Sequence, residues 1–65
     1  MTICDFYKVN DDVTRLVEIF DKQNDALLYE GKMDLIDPDL MGKDIWRVEP
    51  KINLRLYKVT YRLYV

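Results

Sequence analysis

Hydrophobic residues along this chain fall into short alternating runs, separated by segments rich in Asp, Asn, Pro and Gly. Turn composition marks Asn10–Asp12, Asp21–Asp25 and Glu49–Asn53. A fourth polar segment, Asp37–Gly42, has the composition of a single capped helical turn. These four segments divide the chain into short elements, each long enough for one strand or a few helical turns.

The acidic segment from Asp37 to Gly42 predicts a one-turn helix. Asp37 can cap it, Pro38 suits the first helical position, and Gly42 can close it in the left-handed conformation. The segment also resembles the opening of a calcium loop, but Met41 occupies a ligand position and Val48 stands where a bidentate Glu is needed. We therefore expect a capped helical turn and no metal site.

The runs between these turns predict strands. Val13–Phe20 has apolar residues at both strand and helix spacing, and its β-branched content favours a strand. Ala26–Met33 alternates clearly, and Gly31 in its interior indicates a bulge or a close crossing. The five-residue turn between these two runs suits a hairpin. Ile45–Val48 is expected to be a short strand that holds Trp46.

The last run, Leu54–Val65, has no Gly, no Pro and no acid, and it predicts one long strand. Its hydrophobic phase changes, because Leu54 and Leu56 share one face whereas Tyr57 begins an alternation on the other. A bulge near Tyr57, or burial of both faces, would accommodate this change. We expect this long strand to leave unpaired N–H and C=O groups at a sheet edge, where they can accept another strand.

Together these elements predict a single domain, 1–65, of α+β to mainly β class. We expect a small antiparallel sheet of about four strands in two hairpins, with one or two short helices; Thr2–Val9 fits either a helix or a strand. A domain this small buries only about 60% of its unfolded surface. The chain has one cysteine, Cys4, and no histidine, so it can form no intramolecular disulfide and lacks the commonest zinc ligand. We therefore expect self-association to supply the stability that so small a core lacks.

Charge is segregated along the chain. Residues 1–46 carry 11 acids and 5 bases, a net charge of −6, whereas residues 47–65 carry 5 bases and one acid, a net charge of +4. The two halves sum to the overall −2. Such segregation either steers a charged partner or lets one half of the fold pair with the other across the sheet.

The chain lacks the residues that most catalytic mechanisms require. Without serine or histidine there is no serine triad and no cysteine–histidine dyad, and two glycines cannot build a phosphate loop. We expect a protein that is not an enzyme and needs no cofactor. No apolar run is long enough to span a membrane, and Met1–Phe6 lacks the pattern of a signal peptide. The lone Cys4, expected to be a small buried or half-buried hydrophobe, fits a cytoplasmic protein.

Three fragments occur in a distinctive order: Asp11–Arg15 (Asp-Asp-x-Thr-Arg), Leu28–Gly31 (Leu-Tyr-Glu-Gly) and Asp34–Met41, before a closing hydrophobic hairpin. Over residues 8–56 the chain resembles small uncharacterised proteins encoded on phages and other mobile elements of Gram-positive gut bacteria. The resemblance implies a helical start, a hairpin, a short helix and a final hairpin, with no established activity. After Leu56 the chain departs from that pattern with a longer basic, tyrosine-rich strand.

The basic, aromatic end of the chain supplies the candidate interaction residues. They are Trp46, Arg55, Tyr57, Lys58, Arg62 and Tyr64. Trp46 either anchors the core, which the small size of the protein favours, or forms an exposed hot spot. We predict a non-catalytic module that binds a protein, such as a host protein, or itself, through a sheet edge and an aromatic face. The alternative is a small-ligand or nucleic-acid binder that uses the C-terminal strand, although an acidic chain argues against nucleic acid.

Overall fold

The computed structural model describes residues 1–10, 15–55 and 58–65, and these residues form four strands and short helices. In chain order the elements are α1 (Ile3–Val9), β1 (Leu16–Phe20), β2 (Leu27–Lys32), a 3₁₀ helix (Met33–Leu35), α2 (Pro38–Met41), β3 (Arg47–Asn53) and β4 (Lys58–Tyr64). The predicted fold class, a small α+β to mainly β domain with about four strands and one or two short helices, is confirmed.

The strands form one sheet in the order β2–β1–β4–β3. β1 pairs antiparallel with β2, and β3 pairs antiparallel with β4, so both predicted hairpins are present. The hairpins join through β1 and β4, which run parallel, so the sheet is mixed rather than wholly antiparallel. The parallel pair is possible because the chain passes through the 3₁₀ helix and α2 before it returns to the sheet.

A capping box starts α1. The Asp5 N–H donates to the Thr2 hydroxyl at 3.2 Å, and the Thr2 N–H donates to the Asp5 carboxylate at 3.0 Å. These two bonds satisfy donors that a helix start would otherwise leave unpaired. They explain why Thr2–Val9, which fits a helix or a strand by sequence, forms a helix.

The first predicted hairpin is confirmed with shorter strands. Val13–Phe20 forms the strand β1 from Leu16 onward, and Val13 itself lies outside the described residues. Ala26–Met33 forms β2. The β-branched content of the first run and the alternation of the second were therefore sufficient signals for the type of these two elements.

Gly31 marks a close approach within β2. Its φ of 152° is rare for residues with a side chain, and a Cβ there would lie 2.9 Å from the Tyr29 hydroxyl oxygen. That hydroxyl donates to the Lys32 carbonyl oxygen at 2.6 Å, which holds the ring in place. The irregularity in the ladder lies elsewhere, between Ile19, which pairs with Tyr29, and the next residue, which pairs with Leu27.

The predicted turn at Glu49–Asn53 is wrong, because these residues form the second half of β3. Pro50 pairs with Tyr61 of β4, and β3 is an edge strand of the sheet. An edge strand tolerates proline because only one of its sides needs ladder hydrogen bonds. The predicted strand Ile45–Val48 correspondingly begins later, at Arg47, and Trp46 precedes it.

The predicted strand Leu54–Val65 also begins later, because β4 starts at Lys58 and both Leu54 and Arg55 lie in a turn. Leu54 is outside the strand, so its face need not agree with that of the later residues. The bulge predicted near Tyr57 falls outside the described residues. β4 lies between β1 and β3, so the prediction that this strand could offer an open edge is wrong.

The acidic one-turn helix is confirmed as α2. Asp37 caps it by accepting a hydrogen bond from the Asp39 N–H at 2.9 Å, and Pro38 is at its start. Gly42 ends it with φ of −85°, so the predicted left-handed closure is wrong. The chain stays in a right-handed turn here, because the Gly42 N–H donates to the Leu40 carbonyl oxygen.

The helices contribute to one hydrophobic core on one side of the sheet. Its buried residues are Ile3, Val17, Ile19, Met33, Ile36 and Leu63. Phe6 of α1 packs edge-on against Tyr61 of β4, with ring centroids 5.3 Å apart. Leu63 of β4 pairs in register with Ile19 of the first hairpin and is fully buried.

Candidate interaction face

The sheet face opposite this core, here termed the open face, is covered by no described element. Successive side chains of a strand point to opposite faces, so every second residue of β1, β4 and β3 lies on it. Strand pairing arranges these residues in two rows. One row is Phe20, Tyr64 and Arg47, and the other is Glu18, Arg62 and Glu49.

Aromatic rings and arginines contact one another along the first row. The Phe20 and Tyr64 rings stack, with centroids 5.6 Å apart and planes inclined by 24°. The Arg47 guanidinium lies 4.6 Å from the Tyr64 centroid and 5.4 Å from the Trp46 centroid. The Arg62 guanidinium lies 5.2 Å from the Phe20 centroid. These five residues are termed the aromatic–arginine cluster.

Arg62 links the two rows from the central strand β4. Its guanidinium lies 3.7 Å from the Glu18 carboxylate and over the Phe20 ring. The pKa of Arg62 is raised above its ordinary value, chiefly by a side-chain hydrogen bond with Tyr64 and also by the charges of Glu18 and Glu49. Arg62 therefore stays charged, and its position is set by aromatic and acidic neighbours together.

Arg47 has an equivalent acidic neighbour. Its guanidinium lies 2.6 Å from the Glu49 carboxylate, two residues along β3. Arg47 and Arg62 are thus each paired with one glutamate, and the two pairs together are neutral in formal charge. The cluster therefore presents planar groups rather than a basic patch.

The rings differ in how much surface they leave for a partner. Tyr64 is only 9% exposed, because Phe20 lies on one side of it in the row and Arg47 on the other. Trp46 is 61% exposed, so the prediction that it anchors the core is wrong. It lies just before the edge strand β3. Trp46 is therefore the part of the cluster that a partner can contact most fully.

The structure brings together three of the predicted interaction residues, Trp46, Arg62 and Tyr64, and separates the others. Lys58 is exposed at the opposite end of β4, and Arg55 is exposed in the turn before it. Tyr57 lies outside the described residues. The predicted set is therefore one cluster and a separate basic end, because a seven-residue strand spans the length of the sheet.

Sequence reasoning missed two members of the cluster, Phe20 and Arg47. The signal was a spacing of two residues. Glu18 and Phe20 lie two apart, as do Arg47 and Glu49, and this spacing places each pair on one face of its strand. Joining those faces requires knowing that β1 and β3 both lie beside β4. That adjacency includes a parallel pairing of distant segments, which a single sequence does not indicate.

A groove lies at the other end of the sheet, along the edge strand β3 and beside the turn between β3 and β4. It has a volume of about 430 Å³ and is lined by Glu18, Lys51, Ile52, Leu54 and Thr60. We term it the hairpin groove. Its walls are apolar at Ile52 and Leu54, which are 65% and 78% exposed. Polar groups from Glu18, Lys51 and Thr60 complete it.

The two edge strands are poor templates for a further strand. Pro50, which has no N–H to donate, interrupts β3. β2 contains the register shift beside Leu27 and the unusual backbone of Gly31. Prolines and irregular backbone are features that discourage pairing at sheet edges. The open face is therefore a better candidate for contact than either edge.

Other kinds of site find little support among the described residues. No group of three or more His, Cys, Asp or Glu side chains there is placed to hold a metal ion. None of the helices in the described part of the chain is long and apolar enough to cross a membrane. Cys4 is a half-buried free thiol, in keeping with its predicted role as a small hydrophobe.

Comparison with protein-family models, curated proteins and solved structures found no match to this chain. The resemblance to proteins of phages and mobile elements therefore stays a prediction, resting on the three fragments that suggest it.

Proposed function

We propose that this chain is a non-catalytic module that binds a partner protein through the aromatic–arginine cluster of its open face. The observation that carries the proposal is the row of Phe20, Tyr64 and Arg47 on a face that no described element covers, with the exposed Trp46 ring beside Arg47. A domain of this size has little apolar area to spare for anything but its core. Rings held in order on the outside are therefore best explained by a use in contact.

The composition of the cluster supports a protein as the partner. Trp, Tyr and Arg are the residues that most often dominate the binding energy of protein interfaces. Arg47 and Tyr64 are already held by neighbours, so they would lose little conformational freedom on binding. The exposed Trp46 ring supplies the large apolar contact.

The same geometry weakens the alternative of nucleic-acid binding at this surface. Phosphate contacts need unpaired cations, but the Arg47 and Arg62 charges are offset by Glu49 and Glu18. Base stacking needs an open ring face, and Tyr64 lies between Phe20 and Arg47. Both requirements favour a protein surface over a nucleic-acid strand.

The setting we propose is the cytoplasm, because the lone Cys4 is a free thiol. We also propose that the role needs no cofactor and no catalysis, since the chain has no serine or histidine. If the mobile-element origin is correct, the partner is a protein of the bacterial host.

The test compares partner capture by the wild type, by the double variant Trp46→Ala/Arg47→Ala and by a control, Lys8→Ala/Val9→Ala. The control residues are exposed on α1, on the other side of the sheet. Each protein is immobilised on a resin and incubated with a lysate of its source organism. Captured proteins are then quantified by mass spectrometry. A captured protein is then purified and its affinity for all three chains is measured by calorimetry.

We expect at least one protein whose affinity falls about tenfold or more, roughly 1.4 kcal/mol, with the cluster variant and is unchanged with the control. Far-ultraviolet circular dichroism must show that both variants are folded. If every protein captured by the wild type binds the cluster variant equally well, the open face is not the binding surface and the proposal fails.

A further inference from the structure

One cation lines the hairpin groove and a second lies near it, and neither belongs to an ion pair found among the described residues. Lys51 lines the groove, and Lys58 lies on the same face of β4 as Thr60, two residues before it. The ion pairs found among the described residues, Arg47–Glu49 and Arg62–Glu18, include neither lysine. Glu18, which also lines the groove, is paired with Arg62, so the charges left for a partner are those of Lys51 and the nearby Lys58. The groove therefore suits a segment that carries an exposed apolar side chain beside carboxylates.

One segment of this chain has that chemistry. Leu35 in the 3₁₀ helix is 69% exposed, although its neighbours Met33 and Ile36 are anchored in the core. Asp34 and Asp39 are both exposed close to it in sequence. These residues, Asp34, Leu35 and Asp39, are termed the Leu35 tip. Because Met33 and Ile36 fix the backbone on both sides, Leu35 is presented outward in a defined position.

The tip and the groove belong to opposite edges of the sheet. The 3₁₀ helix directly follows β2, which is one edge strand, whereas Lys51 lies on β3, the other edge strand. β1 and β4 lie between them. The tip of one molecule is therefore separated from its own groove by the width of the sheet, and it can fill only the groove of another molecule.

We infer that a second copy of this chain docks its Leu35 tip into the hairpin groove. Leu35 packs against Ile52 and Leu54, while the tip carboxylates approach Lys51 and Lys58. The contact joins two different surfaces, so it is head-to-tail, and repeated contacts build a chain of copies unless the rotation closes a ring. This contact also covers apolar surface that the small domain leaves exposed. It does not depend on the aromatic–arginine cluster.

The test uses charge-neutralising substitutions in each surface. The groove variant is Lys51→Gln/Lys58→Gln, and the tip variant is Asp34→Asn/Asp39→Asn. All four positions are exposed, and Asp37, which caps α2, is left intact. Matched controls remove the same number of charges from exposed positions elsewhere. They are Lys8→Gln/Lys22→Gln and Asp25→Asn/Asp44→Asn.

We expect sedimentation equilibrium of the wild type to give a mass above the 7.8 kDa of one chain, increasing with concentration and decreasing with added salt. The groove and tip variants should each associate about tenfold or more weakly than the wild type, and the controls should match it. An equimolar mixture of the two variants should form a dimer of twice 7.8 kDa and nothing larger. One native tip and one native groove remain in that mixture, so a single contact can form.

A wild-type mass of 7.8 kDa at high micromolar concentration would overturn the inference, and so would a mixture of variants that stays monomeric. Binding of a labelled single-stranded oligonucleotide by the monomeric wild type, lost in the groove variant, would instead assign the lysines to phosphate. The Trp46→Ala/Arg47→Ala variant should associate normally. Self-association can thus fail while partner binding by the cluster stands, and the reverse also holds.

Discussion

The two faces of this sheet are built from the same strands but depend on different interactions. On the covered face, Val17, Ile19 and Leu63 are fully buried against the helices. On the open face, their immediate neighbours Glu18 and Arg62 are partly exposed and form an ion pair at 3.7 Å. A shift of one residue along either strand thus separates the core from the candidate binding surface.

The two faces are therefore expected to differ in how much they contribute to the free energy of folding. Burial on the covered face contributes about 25 cal/mol for each Å² of apolar surface removed from water. Contacts on the open face are directional, and an exposed cation–π contact contributes only about 0.5–1 kcal/mol. We therefore expect the fold to depend on the covered face, whereas the open face can change with little cost to folding.

The largest expected effect on stability comes from truncating the buried Leu63 side chain on the covered face. Leu63→Ala removes a fully buried side chain that pairs in register with Ile19, and it should lower the free energy of unfolding by about 2–5 kcal/mol. That loss is comparable to the whole stability of many small domains. Denaturant melts followed by circular dichroism measure it.

Val9→Ala is the matched control for Leu63→Ala, because Val9 is 72% exposed at the end of α1. Its effect should stay within about 0.5 kcal/mol. If Leu63→Ala is as neutral as the control, the two faces are not distinguished by burial and the comparison fails.

An intermediate effect is expected where β2 meets the covered face, at Gly31. Gly31→Ala adds a Cβ at a φ of 152° and 2.9 Å from the Tyr29 hydroxyl oxygen, which is held by its hydrogen bond to Lys32. The free energy of unfolding should decrease by about 1–3 kcal/mol.

Gly42→Ala is the control, because its φ is −85° and no atom lies within 4 Å of its Cβ position. It should be neutral or stabilise by up to about 1 kcal/mol. Equal effects at the two glycines would contradict the close approach at Gly31.

Features of the fold with local causes could be predicted from the sequence. The β-branched content of Val13–Phe20 predicted β1, alternation predicted β2, and the Asp37–Pro38 pair predicted α2. The placement of Pro50 in a strand could not be predicted, because proline is acceptable there only at an edge. Which strand forms an edge depends on the parallel pairing of β1 with β4, and that pairing joins segments far apart in the chain.

The candidate site was predictable to a similar extent. Trp46, Arg62 and Tyr64 were identified by residue type alone, because aromatic residues and arginines are common at interfaces. Phe20 and Arg47 were missed because their contacts with Tyr64 cross from β1 and β3 to β4. Exposure of Trp46 also depended on tertiary structure, because it lies just before β3, which is an edge strand of the sheet.

The smallest expected effect concerns the helix that covers the core, at its capping box. The pKa of Asp5 is lowered by the hydrogen bond from the Thr2 N–H and further by the Thr2 side chain, relative to an unfolded value of about 3.9. Asp5 therefore stabilises the fold fully above that value, and its contribution is lost as pH falls through the lower folded pKa.

Asp5→Asn should reduce stability by a constant amount above about pH 5. The difference from wild type should shrink at lower pH. Melts of both proteins between pH 2 and pH 7 measure this difference, with Asp25→Asn as an exposed control outside the helix. A difference that does not vary with pH would show that the Asp5 carboxylate makes no special contribution to the start of α1.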